Sequence, residues 1–287
     1  MALPALIFVV VFNYLPMIGA VVAFKRFRYD MGILGSPWVG FRNFEFFFTS
    51  DAAFVLLRNT VLYSTAFFVI NTTLAITFAV LLYDLPRGSV RVYQTVMFLP
   101  HFLSWVVVSY ITTALLDANH GYLNRLLAGL GAEPVRWYFE PRFWPAIIPI
   151  VNTWKSIGFA TLIYFAGIMG IDPSYFEAAE IEGATKAQTT FYVTVPFLMP
   201  ILVILLIIAI GNIFRGDFGL FFFIPNNSAF LYRVTDIIET YVYRALTQAT
   251  NLGMGAAVGL FQSVLGLIAV VGANSAIRRV APENSLW

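Results

Sequence analysis

Six long apolar stretches, separated by polar segments, divide the sequence. They lie at about residues 3–24, 59–82, 92–116, 144–169, 197–223 and 254–276. At ~1.5 Å per residue, a helix of about 20 residues crosses a hydrocarbon core of ~30 Å, and none of these stretches alternates as the strands of a membrane barrel do. The pattern predicts an all-α membrane protein in which residues 1–287 form a single domain with six transmembrane helices.

The first apolar stretch has no basic residue before it, whereas Lys25, Arg26 and Arg28 follow it. A signal peptide has the opposite order of flanks, so the stretch is predicted to be a spanning helix. Because it begins almost at the first residue, we expect the native protein to carry a basic segment ahead of it.

The composition supports a membrane protein and excludes several kinds of chemistry. Hydrophobic residues make up 60% of the chain and charged residues 11%, well below the roughly 25% charged residues of soluble proteins. A net charge of +2 gives no basic surface for nucleic acid, and zero cysteines with two histidines predict no disulfide, thiolate or histidine-rich metal site. Without Gly-Lys-Ser or Gly-Lys-Thr the chain lacks a P-loop. We expect neither enzymatic activity nor a bound cofactor.

The most polar run between two apolar stretches is residues 171–196. Asp172, followed by proline, fits the cap and first residue of a helix. Gly183 is predicted to end that helix in the left-handed conformation, which glycine adopts without a steric penalty. A second short helix over residues 185–193 would then end before Pro196, where the chain enters the bilayer.

This run contains a motif with characteristic spacing: Glu177-Ala178-Ala179, Gly183, Val193, Val195 and Pro196. The spacing resembles the signature loop of permease subunits in ATP-binding-cassette (ABC) importers. Valine stands at two positions where isoleucine and leucine are usual. Glu182 stands where the sugar importers usually have aspartate, which keeps the charge.

Further segments resemble the oligosaccharide and polysaccharide permeases of that family. They are residues 37–40 (Pro-Trp-Val-Gly), 58–60 (Arg-Asn-Thr), 98–102 (Phe-Leu-Pro-His-Phe), 236–244 and 283–287 (Glu-Asn-Ser-Leu-Trp). The resemblance implies the type I importer permease fold, in which the signature loop is a cytoplasmic coupling helix. The residues implied to couple to an ATPase are Glu177, Ala178, Ala179, Glu182, Gly183, Ala184 and Pro196.

The resemblance also implies partners and a location. A second permease subunit would complete a heterodimer, and two cytoplasmic ATPase subunits would carry ATP and magnesium. An extracytoplasmic solute-binding protein would dock on the outer connections, especially residues 217–252. The implied function is import of a carbohydrate, an oligosaccharide or polysaccharide, by alternating access across the cytoplasmic (inner) membrane of a bacterium.

Lys155 lies about 11 residues into the fourth stretch, too deep for its ammonium to reach the interface easily. In one interpretation it lines the substrate pathway with Asn152 and Trp154, where its charge suits an acidic uronate glycan such as alginate. In the other, it pairs with backbone carbonyls or with an acid on a neighbouring helix. Three further polar residues either line the pathway or bond between helices: Gln94, Asn212 and Gln262.

Two observations bear on the alternatives. If the signature loop is cytoplasmic, the outer connections hold eleven basic residues and the inner ones five, the reverse of the positive-inside rule. The alternative class is a secondary transporter driven by an ion gradient, which would be expected to have inverted repeats and acids within its helices. The sequence has no evident repeat, and its acids are concentrated in the connections.

Overall fold

The computed structural model describes residues 3–49, 51–247 and 251–280 of the 287-residue chain. In these ranges the chain is built of helices and short turns, and one isolated bridge pairs Lys25 with Trp38. The segment at 283–287 that resembles the carbohydrate permeases lies outside the described residues.

The longer helices are numbered in chain order. They are α1 (Leu3–Phe24), α2 (Arg42–Thr49), α3 (Asp51–Tyr83), α4 (Arg87–Phe102), α5 (Trp105–Leu116), α6 (Tyr122–Gly129), α7 (Trp144–Met169), α8 (Pro173–Ile181), α9 (Lys186–Gly211), α10 (Phe218–Phe223), α11 (Ile238–Thr247) and α12 (Leu252–Val280). Five of them, α1, α3, α7, α9 and α12, are each long and apolar enough to cross a membrane, and α4 with α5 forms a sixth, broken span.

The third predicted helix is broken in the structure. The sequence predicts one helix over residues 92–116, whereas α4 and α5 meet at an angle of 99°. Pro100, which has no N–H to donate, lies in the 3-10 turn that ends α4. Ser104 then begins α5 by accepting a hydrogen bond from the Val107 N–H at 3.3 Å. A proline followed by a capping serine therefore makes a bend inside this span.

The fifth predicted helix has different bounds. The prediction of a break before Pro196 is wrong, because α9 continues through that proline. A π-helical turn at Thr190–Thr194 precedes it, and the wider hydrogen-bond pattern of such a turn accommodates the missing N–H. The prediction that the helix extends to 223 is also wrong, since α9 ends at Gly211 and α10 is separate.

The spanning helices pack around a central pair, α3 and α7, which make the most extensive contact in the described chain. Helix α1 is peripheral, because only its second half packs, against α12, and the large side chains of its first half are exposed. The aromatic rings of Tyr83 and Phe176 lie 5.2 Å apart. Their contact places the turn after α3 at the same end of the bundle as α8, here named the coupling end.

The opposite end, named the outer end, has a core that the sequence pattern did not predict. Of residues 217–247, the sequence pattern predicts that those up to 223 belong to the fifth spanning helix and that the rest form a polar connection. Instead they contribute buried side chains that pack on Tyr63 of α3 and Trp144 of α7: Leu220, Phe221, Ile224, Leu231 and Ile237. This segment is therefore an integral part of the fold that ties the outer ends of the spanning helices together.

Candidate functional site

The coupling loop, residues 171–196, begins with a capped helix. The Asp172 carboxylate accepts a hydrogen bond from the Ser174 N–H at 2.9 Å, and Pro173 occupies the first helical position. That backbone N–H lowers the pKa of Asp172 below its ordinary value. The predicted start of the helix is confirmed, and the charge of Asp172 also suits the positive end of the helix dipole.

Gly183 ends α8 in the conformation that the sequence predicts. Its φ is +77°, and its N–H donates to the Glu180 carbonyl at 3.0 Å. The Ala184 N–H donates to the Ala179 carbonyl at 2.9 Å, so the two bonds together form a Schellman motif. A Cβ at Gly183 would have no heavy atom within 4 Å. Backbone conformation, and not crowding, is therefore what requires glycine here.

Side chains hold the coupling loop against the bundle at three points. The Lys186 ammonium and the Asp84 carboxylate lie 2.6 Å apart. Tyr175 packs on Phe197 with ring centres 4.8 Å apart, in addition to the contact of Phe176 with Tyr83. A capping box between Thr185 and Gln188, which the sequence analysis did not single out, fixes the start of α9. The loop is thus attached to both α3 and α9.

The outward face of the coupling loop is uncovered. Glu177, Ala178, Glu182 and Pro196 are all exposed, and Ile181 is 87% exposed. Within the described ranges, no cation lies within ion-pair distance of Glu177 or Glu182. A backbone fixed by caps with acidic and apolar side chains left free is an arrangement suited to docking against another protein.

Lys155 and its two predicted neighbours do not form one cluster. The Lys155 ammonium donates to the His101 carbonyl at 2.9 Å and lies 5.0 Å from the centre of the Trp105 ring. The Asn152 side chain instead accepts from Asn71 of α3 at 3.1 Å. Trp154 is 43% exposed and is the next residue to Lys155 on α7, so the two side chains point in different directions. The carbonyl contact is the one expected if Lys155 is structural, while the cation beside an indole remains compatible with a sugar pathway.

The other pathway candidates lie in two places. Gln262 and Asn212 line one groove of about 380 Å³ between α9 and α12. The Gln262 amide donates to the Phe214 carbonyl at 2.7 Å and to the Glu239 carboxylate at 3.0 Å, and so it bonds between elements. Gln94 lines a separate cavity of about 300 Å³ beside the α4–α5 bend. The structure therefore does not bring the six candidates together.

Two segments that resemble the carbohydrate permeases meet at the outer end. The Asn59 amide donates to the Asp236 carbonyl at 2.9 Å, and the Ile238 N–H donates to the Thr60 hydroxyl at 3.4 Å. Asp236 also forms a buried ion pair with Arg244. We name these five residues the outer junction. The sequence contains both segments, but neither their contact nor its burial could be read from their spacing.

Glu239 is a half-buried acid that the sequence analysis missed. One carboxylate oxygen accepts from Gln262, and the other is buried without a hydrogen-bond partner among the described residues. Burial raises the pKa of Glu239 above its ordinary value. Its place in a segment interpreted as a polar connection gave no sign of this environment.

The described residues thus form a multi-pass helical membrane protein with an uncovered loop at one end and a packed junction at the other. A family model described as "Binding-protein-dependent transport system inner membrane component" matches residues 85–281. The chain belongs to this family. The predicted class, a permease subunit with the type I ABC importer fold, is confirmed, and the membership argues against an ion-gradient-driven transporter.

Particular relatives extend the match to nearly the whole chain. The polygalacturonan/rhamnogalacturonan transport system permease protein YteP of Bacillus subtilis (strain 168) is 32% identical over 285 residues, which cover 99% of this chain and 88% of that protein. The crystal structure of a bacterial ABC transporter involved in the import of the acidic polysaccharide alginate contains a chain with 31% identity and a TM-score of 0.88, covering 97% of this chain and 94% of that one. A second structure of a bacterial alginate ABC transporter, in complex with an alginate pentasaccharide-bound periplasmic protein, gives 30% identity and a TM-score of 0.87, covering 97% and 92%.

Proposed function

We propose that this chain is one half of a heterodimeric permease that imports an acidic oligosaccharide or polysaccharide across the inner membrane of a bacterium. ATP and magnesium are bound by two cytoplasmic ATPase subunits, and an extracytoplasmic binding protein delivers the sugar to the outer end. The permease alternates between outward-open and inward-open states.

The coupling loop is the single observation that carries this proposal. It combines a backbone fixed at both helix starts with an uncovered face and with attachments to two spanning helices. A movement of α8 would therefore be transmitted to α3 and α9, because the backbone of the loop is too rigid to deform in their place. The proposed contacts with the ATPase are made by Glu177, Ala178, Ala179, Glu182, Gly183, Ala184 and Pro196.

The proposed substrate class rests on similarity and on one cation. The polygalacturonan/rhamnogalacturonan permease and the alginate importer are named for glycans that contain uronic acids. Lys155 places an ammonium beside the indole of Trp105, next to the α4–α5 bend. Irregular helix geometry inside a transporter is tolerated where it lines a cavity. We therefore propose that Lys155 attracts a uronate as the glycan passes the bend.

The substrate class is tested on the assembled importer, purified with its partner subunits and its binding protein. ATP hydrolysis is measured with alginate oligomers, oligogalacturonate and a neutral arabino-oligosaccharide of similar length. We expect stimulation by at least one acidic glycan and none by the neutral one. Stimulation by the neutral glycan alone would contradict the proposed substrate class, and recovery of no ATPase subunit would contradict the proposed assembly.

The role of Lys155 is tested by comparing Lys155→Met with Lys155→Arg. Because arginine keeps the charge, we expect it to support uptake, while methionine raises the concentration of acidic glycan needed for half-maximal transport. Basal ATP hydrolysis without glycan should be equal in both. Normal uptake by Lys155→Met would leave only the structural contact with His101.

The proposed orientation is tested by labelling, since the chain has no cysteine. Single cysteines at Ala187, exposed at the coupling end, and at Ala229, exposed at the outer end, offer matched sites. We expect a membrane-impermeant maleimide to label Ala229→Cys from outside and Ala187→Cys only after the membrane is opened. The reverse pattern would support the orientation favoured by the positive-inside count.

A further inference from the structure

An apolar groove lies at the outer end between α1, α2 and α12. Its volume is about 780 Å³, within the range of roughly 300–1,000 Å³ that is typical of ligand sites. The apolar side chains that line it are Phe24, Phe41, Phe44, Leu260, Phe261 and Val264. The groove is open on one side, and its apolar walls suit a hydrocarbon chain better than a sugar.

A second, polar cavity of about 300 Å³ adjoins this groove and shares Arg42 with it. Arg26 lies on the wall of the polar cavity. Neither guanidinium has a hydrogen-bond or ion-pair partner in the part of the chain that the structure describes. Neighbouring cations differ, because Arg28 pairs with Asp30 at 2.7 Å and the Lys25 ammonium donates to two carbonyls. One unpaired charge, that of Arg42, therefore borders the apolar groove, and a second, that of Arg26, borders the polar cavity beside it.

The backbone around these arginines is fixed. The Asn43 amide donates to the Ala23 and Lys25 carbonyls at 2.8 and 2.9 Å, which ties α2 to the end of α1. The Arg26 N–H donates to the Pro37 carbonyl at 2.9 Å. The positions from which the two side chains extend are therefore set by the fold, so that both border the same polar cavity.

The depth of the groove corresponds to the membrane interface. Trp38 and Phe41 are 63% and 75% exposed, and Phe24 contacts both rings at 5.7 and 5.4 Å. Exposed aromatic residues of this kind mark the headgroup level of a bilayer. Glu45, which lines the same groove as Arg42, is the one acid among the residues that line the two cavities, so Arg26 and Arg42 leave an excess of positive charge there.

We propose that a glycerophospholipid of the outer leaflet binds here, with its phosphate between Arg26 and Arg42 and one acyl chain in the apolar groove. Arginine recognises phosphate through paired, charge-assisted hydrogen bonds. An acyl chain packed against the aromatic wall of the groove would remove apolar surface from contact with the headgroup region. The assignment to the outer leaflet rests on the proposed orientation, whereas binding at this site does not depend on the substrate and is tested separately.

Native mass spectrometry of the assembled importer, stripped of lipid, tests this site. The probes are 1-palmitoyl-2-oleoyl phosphatidylethanolamine, the diacylglycerol with the same chains, and inorganic phosphate. We expect the phospholipid to be retained, and the double variant Arg26→Gln/Arg42→Gln to reduce its occupancy about tenfold or more. The matched control is Arg125→Gln/Arg136→Gln, two exposed arginines on another outer connection, which should retain the lipid.

A second variant tests the part of the site proposed to bind the acyl chain, without changing any charge. Val264 is 48% exposed on the wall of the groove, and Val264→Trp should fill it and lower phospholipid retention while both arginines remain. Equal binding of the diacylglycerol, or retention unchanged in the arginine variant, would overturn the proposal. So would a failure of the assembled importer to retain phospholipid at all.

Discussion

The outer junction and the coupling loop are both held by polar contacts, but in opposite environments. The Asp236 and Arg244 side chains of the outer junction are only 10% and 12% exposed. The Asp84 and Lys186 side chains that anchor the coupling loop are 44% and 85% exposed. A buried pair depends strongly on both partners, whereas an exposed pair contributes little.

The difference separates two ways of fixing a structure. The outer junction is complete within this chain, since its polar groups bond to one another and to nearby residues such as Thr240 and Asn227, and an apolar core adjoins it. The coupling loop is fixed through its backbone, by Asp172, Thr185 and Gly183, while its side chains are left to a partner. Substitutions in the outer junction should therefore reduce the stability of the protein. Substitutions in the coupling loop should instead reduce the coupling of ATP hydrolysis to transport.

The largest effect is expected at the outer junction. Asp236→Ala would leave the Arg244 guanidinium buried without its acid, which costs about 3–5 kcal/mol in comparable pairs. We expect a markedly lower midpoint of thermal unfolding in detergent and a lower yield in the membrane. Asp30→Ala is the control, because it breaks the Arg28–Asp30 pair, whose side chains are more than half exposed.

The double variant Asp236→Leu/Arg244→Met sharpens this prediction. It removes both charges, so much of the lost stability should return. If Asp236→Ala unfolds at the same temperature as Asp30→Ala, burial of the pair does not contribute to stability, and the contrast between the two ends is wrong.

The next largest effect is expected in the coupling loop, where a substitution should uncouple ATP hydrolysis from transport while the protein still folds. Gly183→Val places a β-branched residue at φ +77°, where an ordinary side chain costs about 1–2 kcal/mol. The strain should distort the Schellman motif, so that the assembled importer hydrolyses ATP but transports little. Membrane insertion, measured by labelling Ala229→Cys from outside, should be unchanged.

Gly88→Val is the matched control for this variant. Gly88 lies at the same end of the bundle and also has open space around a Cβ, but its φ is not positive. We expect it to transport normally. Equal transport by the two variants would show that the left-handed conformation is not needed for coupling.

A smaller effect is expected on the pH dependence of stability, to which Glu239 contributes through its raised pKa. Because burial raises its pKa, the folded state keeps a proton that the unfolded chain releases near pH 4.5. Stability should therefore fall as the pH rises from about that value through the raised pKa. Glu239→Gln should remove this contribution to the dependence of the thermal unfolding midpoint on pH. Glu133→Gln, at an exposed position, should keep this contribution, and an identical pH dependence in both variants would contradict a raised pKa for Glu239.

The same contrast explains how much could be predicted from sequence. The start and end of α8 follow from Asp172 and Gly183, because caps are determined by residues within one turn of each other. The outer junction joins residues about 180 positions apart, and Asn59 and Asp236 carry no local sign of their contact. The α4–α5 bend was missed for another reason: Pro100 and Ser104 are both visible, but proline in a spanning helix is often tolerated without a break.

The smallest effect should come from the Lys186–Asp84 pair. Its side chains are largely exposed, and such pairs contribute about 0.2–1 kcal/mol. Lys186→Met should therefore leave the unfolding midpoint nearly unchanged, while ATP hydrolysis without glycan rises slightly because the loop is less firmly tied to α3. The reversed pair Lys186→Asp/Asp84→Lys should restore the basal rate. A fall in stability as large as that of Asp236→Ala would mean that the coupling loop contributes to folding as the outer junction does, and the distinction between the two ends would have to be abandoned.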